Sequence, residues 1–359
     1  MVNNSPNPLN FYAGPGKLPK KVLERIQNEL LDYQGTGMSV MEISHRAPQI
    51  IELIERTQFK LRKLMGLDPE DDILFLQGGG SLQFLMVPMN LSHLGDPVDY
   101  VDTGYWTSKA IDAARSLGRD VHICAQDYEQ IPELLDIRDH ARYLHICTNN
   151  TVMGTQWQQI PDSPIPLVAD MSSDILSRKM GIDQFDLIYA HAQKTIGSAG
   201  VTIVIIPRKT QNLMLEGLTP FFDYRAHIAA KSNYHTPPVF AIYIVECMLD
   251  WLKDEIGGLE NMEIINHRKA RLLYETLDKS QIFRCAIPAK SRSMMNVVFS
   301  ALDKNIENAF SQACHEQRIL GIDGHRSKGG FRASLYNAVT LEEVTTLSNF
   351  MIDFERQYG

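Results

Sequence analysis

Short apolar runs punctuate the chain from residue 72 to residue 207: DILFLQ (72–77), YVDTG (100–104), YLHICTN (143–149), PLVAD (166–170), LIYAHA (187–192) and VTIVIIP (201–207). Stretches with helical spacing separate several of them, such as TSKAIDAARSLG (107–118). Upstream, IIELIERTQFKLRKLM (50–65) places Leu53, Ile54, Leu61 and Leu64 on one helical face. Strands that alternate with helices pack as a largely parallel sheet with helices on both faces. The expected fold class is therefore α/β. Ligands of such sheets collect beyond the carboxyl ends of the strands, so the residues that end these runs come first in any search for chemistry.

The pattern changes after residue 257. HTPPVFAIYIVECMLDWLKDEIGG reads as a Pro-started apolar helix stopped by Gly257 and Gly258. A long helix (259–279), a strand MNVVFS (295–300), another helix, a strand around Arg332 and a final helix are expected beyond it. We therefore expect a large domain over 15–257 and a smaller α+β domain over 258–359, with the segment 1–14 packing near the latter.

Net charge is −8, and no long basic run is present. Binding to nucleic acid, which requires a positive face that displaces counterions, is not expected. A small anionic substrate remains compatible, because a pocket can be basic on an acidic protein. No run approaches the roughly 18 apolar residues of a membrane span. The opening MVNNSPNPLNFYAGPG lacks the basic-then-apolar pattern of a secretory signal. The cysteines at 124, 147, 247, 285 and 314 are scattered and form no CxxC pair. That spacing argues against a disulfide framework and against a structural metal site. Cytoplasm is the expected compartment.

Lys194 follows one of the apolar runs, in FDLIYAHAQKTIGSAG (185–200). At a strand end a lysine can be a solvated marker. Here the residues before it are mostly apolar, and Gly197 and Gly200 follow in a turn that lets backbone approach a ligand. A desolvated lysine has a depressed pKa and can attack a carbonyl to form a Schiff base, as an aldehyde cofactor requires. Asp170 ends the preceding run. It reads either as a turn residue in DMSS or as a carboxylate that keeps a cofactor ring nitrogen protonated, as the electron sink of pyridoxal phosphate demands.

LQGGGSLQF (76–84) follows one strand and opens a helix, so bare N–H groups could cradle a phosphate there. It fits neither GxxxxGK[ST] nor GxGxxG, which excludes a P-loop and counts against a dinucleotide-binding or cofactor-free α/β protein. Trp106, at a helix start, is either core or a platform for a flat ring. GHRSKGGFRASLYNA (324–338) carries His325, Arg326, Lys328 and Arg332, and SHRAP (44–48) carries His45 and Arg46. Two His-Arg pairs in an acidic protein suggest a doubly anionic small molecule, which guanidinium forks suit.

Taken with NFYAGPGKLP, GTGMSVMEISHR, ADMSSDILSR and HTPPVFAIY, these segments resemble, in order and along nearly the whole chain, the phosphoserine aminotransferases, fold-type I (class V) pyridoxal-phosphate enzymes. The resemblance implies pyridoxal 5′-phosphate as cofactor, no metal, and a homodimer with shared active sites. It implies that Lys194 binds the cofactor aldehyde and shuttles a proton, and that Asp170 pairs with the ring nitrogen. Trp106 would stack on the ring and Thr151 would bond its hydroxyl, while Gly80, Ser81 and Gln193 would contact the phosphate. His235 and Thr236 would reach the neighbouring subunit's cofactor phosphate, and His45 and Arg46 its substrate. His325, Arg326 and Arg332 would bind the substrate's anionic groups. The implied substrates are L-glutamate and 3-phosphohydroxypyruvate, with 4-phosphohydroxythreonine as a second substrate. Two departures stand out. Ser81 replaces an arginine carried by some members, and His235 replaces an asparagine. A desulfurase-like relative would need a cysteine in a mobile Gly/Ser-rich loop, and none is evident.

Overall fold

The computed structural model describes residues 8–358. A seven-stranded sheet runs through its middle. Across it lie, in spatial order, Asp72–Leu76, Thr202–Ile206, Leu187–His191, Leu167–Asp170, Leu144–Cys147, Pro97–Asp102 and Asp120–Gln126. Thr202–Ile206 is antiparallel to both its neighbours, and every other pairing is parallel. The expected strands all appear, with ends shifted by up to three residues. Asp120–Gln126 was not anticipated, because it is an edge strand with Cys124 as its one fully buried residue.

Continuous apolar character has the expected cause. Ile73, Phe75, Ile188, Ala190, Ile203 and Ile205 enter the core on one face of the sheet. Leu74, Leu76, Leu187, Tyr189, Val204 and Ile206 enter the core on the other. Alternation along a strand sends neighbours to opposite faces, so both must be apolar when both are covered.

The first of these cores is covered by the helix Pro48–Met65, which packs on Val239–Asp250. Pro48 occupies the first turn, and Gly66 ends the helix with φ of 69° while its N–H donates to the Arg62 carbonyl. Left-handed backbone of this kind favours glycine. Glu246, buried within Val239–Asp250, is paired with Arg56 and Lys60, the latter at 2.9 Å. A buried carboxylate without such partners would be strongly destabilising.

A second core lies in the C-terminal part. Phe283–Arg284, Asn296–Ala301 and Phe331–Ser334 form an antiparallel sheet, and Phe283 and Phe310 meet at 4.7 Å between ring centroids. The helices Leu259–Lys279 and Leu341–Tyr358 pack together against it. Leu259–Lys279 serves both cores: Leu259 and Met262 belong to the first, Leu273, Tyr274 and Leu277 to the second. Leu9–Asn10 pairs in parallel with Ile319–Leu320, so this part of the expected N-terminal segment does pack on the C-terminal part. Residues 1–7 of that segment lie outside the described residues. Among the described residues, no helix is long and apolar enough to cross a membrane.

Candidate active site

Asp170 and Lys194 meet because their strands are parallel neighbours. Leu167–Asp170 lies beside Leu187–His191 with Asp170 opposite Tyr189, and Lys194 follows in the next turn. Both line one cavity of about 390 Å³, together with Gly80, Ser81, Trp106 and Gln193. Asp170, Lys194 and the glycine turn after Asp72–Leu76 thus face a common space at one end of the sheet.

Asp170 is buried, and its Oδ1 accepts from the Ser172 N–H at 2.8 Å. That bond fixes the carboxylate and leaves the other oxygen toward the glycine turn, 3.8 Å from where a Cβ on Gly80 would stand. Burial pushes the pKa of Lys194 down, and Asp170 opposes this. A lowered value raises the share of neutral, nucleophilic amine at neutral pH. The Lys194 side chain borders the cavity and so retains some exposure, while its Nζ stands 5.6 Å from the centroid of the Trp106 ring.

Trp106 sits in the first turn of Tyr105–Ser116 and donates from Nε1 to the Thr151 hydroxyl at 3.1 Å. This bond orients the indole face. Gly78 and Gly79, at φ of 88° and 67°, bend the chain into Gly79–Leu91, and no side chain caps that helix. Its first N–H groups have no intrahelical partners and form an anion cradle.

Arg332 approaches from the C-terminal sheet. Its Nη1 donates to the Thr151 carbonyl at 3.0 Å, while its buried Nε has no partner. Burial lowers its pKa, and among the described residues it has no carboxylate partner. A guanidinium left this way suits an incoming anion. The ring of His325 lies 5.0 Å from Tyr105, and burial, Arg332 and Arg326 hold its pKa below the usual value. Arg326 is exposed.

Eight expected residues do not line the cavity within one chain: Thr151, His325, Arg326 and Arg332, placed above, and His45, Arg46, His235 and Thr236. His45 and Thr236 line a separate groove of about 430 Å³, which shares Gly200 with the cavity. His235 stacks on Phe221 at 5.0 Å, and Arg46 is exposed. Asn233 ties the two loops together by donating to the His45 carbonyl at 3.0 Å. Cavity residues the sequence reading passed over are Cys147, Asn149, Ser172, Ser173 and His191. The serines were within sight, in the DMSS that follows strand 167–170, and His191 ends the run before Lys194.

A glycine cradle, an indole platform, a buried carboxylate and a depressed lysine around one cavity fit pyridoxal phosphate. Such a fold with such a site defines the pyridoxal-phosphate-dependent enzymes of fold type I. The family model of aminotransferase class-V matches residues 9–347. Phosphoserine aminotransferase of Geobacillus kaustophilus (strain HTA426) is 46% identical over 356 residues, covering 98% of this chain and 99% of that one. The solved phosphoserine aminotransferase from Bacillus circulans subsp. alkalophilus is 42% identical, with a TM-score of 0.95 over 98% of this chain and 99% of its own. The pyridoxal-phosphate-bound enzyme from Trichomonas vaginalis is 35% identical, with a TM-score of 0.91 over 96% of this chain and 100% of its own. The chain belongs to the aminotransferase class-V family.

Proposed function

We propose that the chain is a phosphoserine aminotransferase, moving the amino group of L-glutamate to 3-phosphohydroxypyruvate and releasing 2-oxoglutarate and O-phospho-L-serine in two half-reactions. The observation that carries this reading is the meeting of Lys194, Asp170 and Trp106 at one cavity, with Arg332, which has no carboxylate partner among the described residues, tied to it through Thr151. Relatives that span nearly the whole chain carry the phosphoserine aminotransferase name, which supports the choice of substrates.

Pyridoxal 5′-phosphate, when bound, supplies the electron sink for the carbanion formed at the substrate Cα. The chain's own residues do the rest. Lys194, its pKa lowered by burial, holds the cofactor aldehyde and then moves the proton at Cα. Asp170 keeps the ring nitrogen protonated, and Trp106 stacks on the ring while Thr151 bonds its hydroxyl. Gly80, Ser81 and Gln193 hold the phosphate. His325, Arg326 and Arg332 take the substrate's anionic groups from the C-terminal lobe (258–359), opposite the cofactor lobe (15–257).

On this reading the working form is a homodimer in the cytoplasm. His235 and Thr236 would reach the neighbouring subunit's phosphate, and His45 and Arg46 its substrate. Two large apolar side chains support an interface at these loops: Met41, which lines the groove, is 57% exposed, and Phe221, under His235, is 41% exposed. Patches of this sort seek a covering surface. As a second substrate, 4-phosphohydroxythreonine of pyridoxine synthesis, whose 2-oxo counterpart accepts the amino group, suits the same cations. The reading is tested by supplying the purified protein with L-glutamate and 3-phosphohydroxypyruvate. Equal yields of 2-oxoglutarate and O-phospho-L-serine are expected, and no product from this pair would contradict it.

A further inference from the structure

His191 ends the strand Leu187–His191 and lines the cavity, yet no role has been given to it above. Its backbone N–H donates to the Ser172 hydroxyl at 3.1 Å, which pins the residue beside the Asp170 turn. Its Nε2 accepts, at 3.5 Å, from the N–H of Gly200. That contact assigns the proton of the neutral ring to Nδ1. Nδ1 has no hydrogen-bond partner among the described residues, and it lies 3.2 Å from the place a Cβ on Gly79 would occupy. The imidazole therefore rests against the first turn of Gly79–Leu91, at the end where N–H groups are free. Only a glycine at 79 lets it come so close.

We propose that His191 is an additional ligand of the cofactor phosphate, donating from Nδ1 beside the helix start and supplying a positive charge that Ser81 does not. The inference rests on the functional reading above and deepens it. A phosphate monoester carries about −1.5 to −2 charges at neutral pH. A helix N-terminus offsets only about half a charge. Lys194 and His191 are the sole cationic side chains lining the cavity among the described residues, and Lys194 is committed to the aldehyde. His191 alone is left to balance the anion from within the cavity. The ionisable groups around it are Lys194 on its own turn, Asp170 on the neighbouring strand and Cys147 beyond it; the glycine turn brings none. Burial and Lys194 hold the imidazole pKa below its usual value, with Asp170 opposing. A phosphate beside Nδ1 moves it up again, so binding takes up a proton near neutrality, and the long contact from Gly200 is given up once Nε2 carries that proton.

The test compares pyridoxamine 5′-phosphate with pyridoxamine, by calorimetric titration of the full-length protein freed of cofactor. Neither ligand forms a covalent link to Lys194, and the ratio of the two affinities isolates the phosphate. In His191→Gln that ratio falls about tenfold at about pH 6.5, the loss expected for one charge-assisted hydrogen bond. The loss shrinks to within about threefold at about pH 8.5, where the wild-type imidazole is neutral. His191→Arg, charged at both pH values, recovers the ratio at each. A ratio unchanged in His191→Gln, or lowered equally at both pH values, overturns the inference while leaving the transaminase reading intact. Failure of the wild-type protein to prefer the phosphorylated ligand at all would take down both.

Discussion

The Nζ of Lys194 faces the indole of Trp106 from 5.6 Å, across a cavity that Asp170 also borders. The amine that must react, the ring that must support and the acid that must polarise thus come from three separate elements. Two of them are held by hydrogen bonds from within the chain. Trp106 is held through Thr151, and Asp170 through the N–H of Ser172.

Asp170 is buried, and its replacement by Asn keeps the size and the bond from Ser172 but removes the charge. Asp170→Asn is expected to lower kcat about tenfold to a hundredfold, the worth of one hydrogen bond to a charged group. Bound cofactor, read by absorbance, should persist at saturating concentration. An unchanged kcat would remove Asp170 from the mechanism.

Arg332 pairs with a carbonyl rather than a carboxylate, and its Nε is unpartnered. Arg332→Met is expected to raise KM for glutamate and for the phosphorylated acceptor alike, by about tenfold or more. Because a half-buried guanidinium without a carboxylate costs stability, the midpoint of thermal unfolding without substrate should hold or rise. Steady-state kinetics and a melting curve read the two effects. Unchanged KM for both substrates would contradict the assignment.

Lys269 is wholly buried in Leu259–Lys279, and its ammonium donates to the carbonyls of Leu335, Tyr336 and Val339 at 2.8, 3.0 and 2.9 Å. It braces the turn that follows the Arg332 strand. Burial pushes its pKa down to about 7, with Glu343 pulling the other way. A lysine in the unfolded chain titrates near about 10.4. Between these values the unfolded chain binds more protons than the folded one, so this group makes stability rise with pH from about 7 to about 10.4. Below about 7 both forms are protonated and the contribution is flat. In urea unfolding, Lys269→Met should be less stable by about 1–3 kcal/mol, the scale for leaving buried acceptors without a donor. The wild-type protein should also gain more than the variant between pH 7 and 9. Equal gains would contradict the assigned titration.

The shared site predicts complementation. Lys194→Ala and Arg46→Ala, each defective alone, should regain about a quarter of wild-type activity when equal amounts are unfolded and refolded together, since half the dimers are hybrids with one intact site. No recovery in a mixture shown to contain hybrids would place Arg46 outside its neighbour's site.

Much of this site could be read from the chain because its residues stand where apolar runs stop. Asp170 and Lys194 end buried runs, and Gly78–Ser81 breaks one. Such positions are conspicuous whenever both faces of a sheet are covered. His191 escaped notice because a polar residue after LIYA reads simply as the strand boundary, and its value depends on Gly79, distant in sequence. Lys269 escaped because a lysine at helical spacing reads as a solvated face, and nothing local signals three carbonyls 66 to 70 residues ahead. The edge strand Asp120–Gln126 has too little buried apolar surface to announce itself. His45, Arg46, His235 and Thr236 lie on surface loops outside the cavity, where one chain alone gives them no common target.

The account rests most heavily on Lys194, and one spectrum tests it. The purified protein supplied with pyridoxal phosphate should show a visible band of a lysine-bound aldehyde, which L-glutamate converts to the pyridoxamine form with stoichiometric 2-oxoglutarate. Lys194→Ala should bind the cofactor without that band and lose at least about 10²- to 10⁴-fold in turnover, the range for a positioned acid–base group. A Lys194→Ala protein with the same band and full activity would contradict the account.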